Sequence, residues 1–200
     1  MMPIDTKEKD MENILIQKSL EIFSIKGYAA TNLTDITNAL GISRGPIYYH
    51  FKDKFGLYKA AFNYYEIDLR QTHAKIIAQD LHIISFIEAV IYDCGKRHTK
   101  YGLNFFFGID TIEELSPIKK LQNNLIEDIY QQKMDYVIRL IEKGEIRRTT
   151  DPKQIVDLIY LVYFGLFNAI QVNMLKDYSE REIKNLIRVL LSGIEKYYCD

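Results

Sequence analysis

Between Asn32 and Phe51 the chain reads NLTDITNALGISRGPIYYHF, and no other stretch constrains the fold as much. Leu33, Ile36 and Leu40 repeat at helical spacing and stop at Gly41; Ile42 and Ser43 come next, and a second short helical run reaches Phe51. Glycine at a helix end takes the left-handed conformation that other residues resist, so the chain can reverse within three or four residues. Ser43 is placed as an N-cap, its hydroxyl accepting from free amides of the next turn. Gly45 and Pro46 fall in the first turn of a helix opening at Arg44, where proline sacrifices no intrahelical hydrogen bond. The spacing predicts two helices joined by a tight turn, the second free to enter a DNA groove.

Polar chemistry gathers on that second helix. From Gly41 to Lys59 the cations Arg44, Lys52, Lys54 and Lys59 face one acid, Asp53, in a chain whose formal charge is -1. Tyr48 and Tyr49 cannot both face a core, because neighbours on a helix point about 100° apart. Arg44, at the exposed start, is the candidate for base readout, since a guanidinium forks onto guanine O6 and N7. His50 and Lys54 are candidates for backbone phosphates, which position a protein without specifying sequence. Ile47, Phe51, Leu33, Ile36 and Ile42 read as the core that holds the helices together.

This order of residues resembles the DNA-binding domain of the tetracycline-repressor (TetR) family of transcriptional regulators. The match is carried by Phe23, Gly27, Tyr28, Thr31, Leu33, Ile36, Gly41, Ile42, Ser43, Gly45, Ile47, Tyr48, His50, Phe51, Lys54 and Leu57. Thr37 and Leu40 depart from it, standing where the family usually has a small residue. The resemblance covers about the first third of the chain and implies that at least one of the two tyrosines is a phosphate ligand. The full set assigned to DNA is Asn32, Thr34, Ser43, Arg44, Gly45, Pro46, Tyr48, Tyr49, His50 and Lys54.

The remainder reads as helix throughout. A first helix from about Lys9 to Lys26 has its stripe at Met11, Ile14, Leu15, Ile22 and Phe23 and ends at Gly27. Asp53 caps a fourth, which carries Phe55, Leu57, Tyr58, Ala61, Phe62, Tyr65 and Leu69 and connects the head to the rest of the chain. Beyond Asp80 we expect a helix from about Leu81 to Tyr101, an irregular passage from Asn104 to Glu114, and a helix from Ser116-Pro117 to Lys143. Asp151-Pro152, with Gln154 in reach of a reciprocal cap, opens the next; Ser179 opens the last with a capping box. The fold class is all-α, about nine helices, TetR-like. The head occupies 9–69, with its helix-turn-helix at about 32–51, and a ligand-binding and dimerisation domain occupies 70–200.

The penultimate helix is apolar almost all round, which demands cover on every side. With the last helix it suggests an isologous four-helix interface through Leu158, Val162, Leu166, Ile183, Ile187, Leu190 and Ile194. A homodimer would set two reading helices about 34 Å apart and require a near-palindromic site on double-stranded DNA. A regulator of this kind implies a small-molecule effector. Tyr92, Tyr101, Phe105, Phe106, Phe107, Tyr130, Tyr160, Tyr163 and Phe164 are candidate walls for an apolar or aromatic one, and a cationic one would want Glu88, Asp93 or Asp110 nearby.

Other chemistry finds little support. Cys94 and His98 stand four apart but lack a second pair to complete a tetrahedral metal site. No phosphate loop comes after a strand, no G-x-S-x-G elbow occurs, and no nucleophile pairs with the histidines at 50, 73, 82 and 98. No cofactor, metal or catalytic residue is expected. A pI near 6.4 argues against indiscriminate coating of nucleic acid, and two cysteines without a CxxC suit a reducing, cytoplasmic compartment. No run of about 18 uninterrupted apolar residues suggests a membrane span. The reading is a ligand-responsive repressor; its alternative is a helical small-molecule-binding protein or enzyme with a vestigial DNA-binding head.

Overall fold

The computed structural model describes residues 6–101, 104–107, 109 and 112–199; the side chains of residues 6–8, 99, 104, 107 and 171 lie outside that description. Among the described residues there are nine α-helical segments and no strand. They are α1 (Thr6–Ala30), α2 (Leu33–Leu40), α3 (Gly45–Phe51), α4 (Lys54–Ile77), α5 (Ile83–Tyr101), α6 (Asn104–Phe107), α7 (Ser116–Glu142), α8 (Pro152–Gln171) and α9 (Glu180–Tyr198).

Most helix ends obey the local chemistry. Gly27 interrupts α1 at φ 76° and ψ 167°, where the sequence places the end of the first helix. Asp53 caps α4, its Oδ1 accepting from the Gly56 amide at 2.7 Å. Asp151 caps α8 by accepting from the Lys153 amide at 2.9 Å, and Ser179 and Glu182 close the expected box on α9. Three expected caps differ. Ser43 is not the N-cap of α3; Arg44 holds that position with helical φ/ψ, so the Ser43 hydroxyl does not meet the free amides. Ser116 is itself helical, because a single 3-10 turn, Glu113–Leu115, already leads into α7. The Gln154 side chain is turned towards Tyr198, whose hydroxyl lies 3.4 Å from Oε1.

The chain divides into two compact units, residues 1–69 with 97–125 and residues 70–96 with 126–200. In the first, α1 packs against α2, α3 and α6. Leu15, Leu20, Phe23, Ile36, Ile47, Leu57, Tyr58, Ala61, Phe62 and Phe105 are buried there. Tyr58 meets Phe23, Tyr28 and Phe105 at 4.9–5.0 Å between ring centres, and its hydroxyl donates to the Phe105 carbonyl at 2.7 Å. Burial pushes the Tyr58 phenol well above its usual range, which keeps it a neutral donor. Phe106 stacks on Phe62, and Arg97 pairs with Asp68 at 2.6 Å.

In the second unit Ile83, Phe86, Ile87, Val90 and Ile91 of α5 meet Tyr136, Val137 and Leu140 of α7, Ile155, Val156 and Ile159 of α8, and Leu191 and Ile194 of α9. Helix α8 is long and apolar enough by composition to cross a membrane, but this core takes one of its faces. The opposite face carries Leu161, Phe164, Gly165, Asn168 and Val172, of which Leu161, Phe164 and Val172 are large apolar side chains left exposed. The outward row of α9 has the same rhythm: Leu186, Val189, Leu190, Gly193 and Tyr197.

Candidate nucleic-acid interface

The geometry of the head starts at Gly41. With φ 66° and ψ 31° it closes α2 in the left-handed conformation, its amide donating to the Asn38 carbonyl at 3.2 Å while the Ile42 amide reaches Thr37 at 3.0 Å. These paired bonds are a Schellman motif, and they turn the chain into α3 within four residues. At the other end of α2 the Asn32 amide donates to Asp35 Oδ2 at 2.8 Å, and Lys26 pairs with the same carboxylate at 2.9 Å. The Asn32 amide first, and then Lys26, hold the Asp35 carboxyl below its usual range.

Helix α3 sorts its residues by face. Ile47 and Phe51 point into the head and are buried, while Tyr48 is 51% exposed and Tyr49 73% exposed. Ser43, Arg44 and Gly45 are placed at the helix start, with Arg44 exposed, and Pro46 and His50 lie further along it. The ring of Tyr49 meets His50 edge-on at 4.9 Å. Asn32 is exposed and Thr34 half-buried at the start of α2. All lie on the two short helices and the turn between them, and Arg44 opens the helix with its side chain in water.

Lys54 departs from that set. Its ammonium donates to the carbonyls of Tyr28 at 3.0 Å and Thr31 at 3.1 Å, and lies 4.2 Å from the centre of the Tyr28 ring. It is a strut that satisfies carbonyls where α1 gives way to α2, so a phosphate there would compete with bonds the fold already uses. The exit from α3 carries two features that motif reading passes over. Lys52 has φ 68° and ψ -50°, and the Asp53 amide donates to the Phe51 carbonyl at 2.9 Å across it, which is a γ-turn of the rare, strained kind. A side chain at Gly56 would collide with that same Phe51 carbonyl oxygen. A glycine three residues past the capping Asp53 was the available signal.

The candidate ligand residues fall in both units. Tyr101, Phe105 and Phe106 belong to the first unit, where they pack with Tyr58, Phe62 and Tyr65. Tyr92, Tyr130, Tyr160, Tyr163 and Phe164 belong to the second. Tyr92 is exposed under the ammonium groups of Lys96 and Lys184. The Phe107 side chain and Asp110 lie outside the described residues. Glu88 accepts from Arg188 at 3.0 Å.

The residues expected at an interface divide between the unit's own core and its open side. Leu158, Val162, Leu166 and Ile187 pack against the unit's own core, and Ile194 is part of it. Ile183 is half-buried and only Leu190 stands on the open side. Apolarity all round α8 hid which side the protomer covers; the solvent side is a rotation of roughly 100° away, through Leu161, Gly165 and Val172. Among the described residues no three histidine, cysteine or acidic side chains gather as metal ligands would.

A short helix held proud of a small helical core by a glycine turn, with its apolar side buried and arginine and tyrosines outward, defines a helix-turn-helix DNA-binding protein. Comparison with known proteins makes that specific. The family model described as "Bacterial regulatory proteins, tetR family" matches residues 15–61. The biofilm operon icaADBC HTH-type negative transcriptional regulator IcaR of Staphylococcus aureus is 24% identical over 192 residues, covering 90% of this chain and 99% of IcaR. A TetR transcriptional regulator from Chloroflexus aurantiacus has a solved structure similar to this one, with a TM-score of 0.78, 20% identity, and coverage of 98% of this chain and 100% of that one. The ketosteroid transcriptional regulator KstR2 of Mycobacterium tuberculosis shares the fold at a TM-score of 0.65 and 13% identity, over 98% of this chain and 97% of that one. Residues 15–61 thus match the DNA-binding region of the TetR family, and the fold of the chain is that of TetR-type regulators.

Proposed function

We propose that this protein is a cytoplasmic homodimeric repressor that occupies a near-palindromic operator and leaves it when a small apolar or aromatic molecule binds the unit formed by residues 70–96 and 126–200. The observation that carries the proposal is helix α3, with Arg44, Tyr48 and Tyr49 exposed over a buried Ile47 and Phe51. Arg44 reads a base edge, and Ser43, Gly45, Pro46, Tyr48, Tyr49, His50, Asn32 and Thr34 meet the sugar-phosphate backbone around it. Seven residues of helix span too few base pairs for specificity alone, so a second copy must read a second half-site.

The solvent faces of α8 and α9 supply that pairing. Leu161 is 67% exposed and Val189 71% exposed, on rows that also hold Val172, Leu186, Leu190 and Tyr197. An apolar row of this length on a single protomer marks a contact surface, and Gly165 and Gly193 within the rows let helices approach closely. The family usually dimerises, and IcaR is named as a negative regulator; both support the proposal. An effector releases DNA only if it binds the two dimer geometries with different affinity.

The test is footprinting on the chain's own upstream DNA. We expect two protected half-sites related by a twofold axis, and protection that fades when an effector is added. A single protected half-site, or none, contradicts the proposal.

A further inference from the structure

Helix α7 presents Ile126, Tyr130, Lys133 and Val137 at the spacing of one helical face, and a lysine in that row is out of character. Lys133 is 4% exposed. Its Nζ donates to the Tyr160 hydroxyl at 3.1 Å and stands 4.5 Å from the centre of the Tyr160 ring. Among the described residues that is the only hydrogen bond either side chain makes. An ammonium has three N–H hydrogens, and a phenol that accepts from lysine keeps its own O–H to donate. Two hydrogens of the buried Lys133 and one of the half-buried Tyr160 therefore sit together without an acceptor among the described residues.

The surroundings are aromatic. Tyr160, Tyr163, Phe164 and Phe167 occupy positions i, i+3, i+4 and i+7 on one side of α8. Ring centres step from Tyr160 to Phe164 at 6.2 Å, to Tyr163 at 5.3 Å and to Phe167 at 5.8 Å, and Phe164 is exposed. Tyr130 stacks on Tyr160 at 5.7 Å and is anchored by its hydroxyl on Asp157 at 2.9 Å. Burial pushes the Lys133 ammonium down to about 8, against the pull of Cys94 and Asp93, so the charge lacks sufficient compensation inside the protein.

We propose that Lys133 and Tyr160 form the polar end of an effector subsite for an apolar or aromatic acid, whose oxyanion takes their donor hydrogens while its body lies along Tyr130, Tyr163 and Phe164. The proposal rests on the reading that this unit receives a small molecule. It selects among effectors: an anion supplies the missing counter-charge, a neutral molecule leaves the donors unanswered, and a cation is repelled by the buried ammonium.

Two dyes with one aromatic body test it: 8-anilinonaphthalene-1-sulfonate, and N-phenyl-1-naphthylamine, which lacks the sulfonate. Fluorescence titration of the wild-type protein should show the sulfonate bound about tenfold tighter or more. Lys133→Met should lower sulfonate affinity at least tenfold and leave the neutral dye unchanged, with helical circular dichroism as the check on folding. Should that variant fail to fold, Tyr160→Phe decides, and a clear weakening for the sulfonate alone is expected. Equal affinities for the two dyes, no sulfonate binding, or a preference that survives both substitutions overturns the proposal. A gel shift run on the same proteins separates the failures: upstream DNA bound by wild type and Lys133→Met alike keeps the regulator reading intact whatever the dyes show.

Discussion

Lys52 ends the reading helix in a conformation that no L-residue favours, at φ 68° and ψ -50°. Backbone strain of this kind costs on the order of 1–3 kcal/mol, and glycine relieves the part due to Cβ. Lys52→Gly should therefore raise stability by about 1 kcal/mol in urea unfolding; a destabilised variant would refute the strain. The neighbouring lysine behaves differently. Lys54→Met removes two charge-assisted bonds to Tyr28 and Thr31, so it should cost about 2 kcal/mol of stability, where Lys52→Met costs little. Equal effects of the two on stability would return Lys54 to the role of a surface cation. Gly56→Ala meets a backbone oxygen that cannot yield and should cost about 1–3 kcal/mol.

At the scale of elements, Lys133 makes α7 sensitive to alkaline pH. Its folded value lies below the ordinary 10.5, so between about pH 8 and pH 10.5 the unfolded chain binds the proton that the folded one has lost. Stability attributable to this residue rises with pH across that window, and the burden is full below it. Urea midpoints of wild type minus Lys133→Met, measured from about pH 7 to pH 10.5, should rise; a flat or falling difference contradicts it. The helices themselves were legible in the sequence because apolar spacing and caps at Gly41, Asp53, Asp151 and Ser179 agree with one another. Properties set by neighbours were not. The direction of Lys54 depends on carbonyls more than twenty residues earlier, and the buried lysine sits in plain view on an apolar row, where its charge suggests a solvated position. The solvent side of α8 was hidden for a different reason: a helix apolar all round carries no periodic mark of which side its own chain covers.

For the whole molecule, a formal charge of -1 leaves DNA binding to a local cationic face rather than to the body. Phe105, Phe106 and Tyr101 lie with the head, which a reading by chain order could not foresee, since residues 97–125 return to pack beside α1 and α4. On the proposed reading, operator recognition turns on the pairing of copies. Leu161→Glu with Val189→Glu places charges on both solvent rows without touching the core, so sedimentation should show monomers where wild type is dimeric, with operator affinity down by about 100-fold or more. A dimer that persists would put the interface elsewhere.

The account depends most on base recognition by the start of α3. Its direct measurement is the affinity of wild type and Arg44→Ala for the upstream operator and for an unrelated duplex, by fluorescence anisotropy across a series of salt concentrations. Wild type should prefer the operator by about 1,000-fold or more, and the substitution should reduce that preference by roughly 1–3 kcal/mol per half-site while binding to the unrelated duplex changes little. An operator preference that is absent in wild type, or untouched in Arg44→Ala, would contradict it.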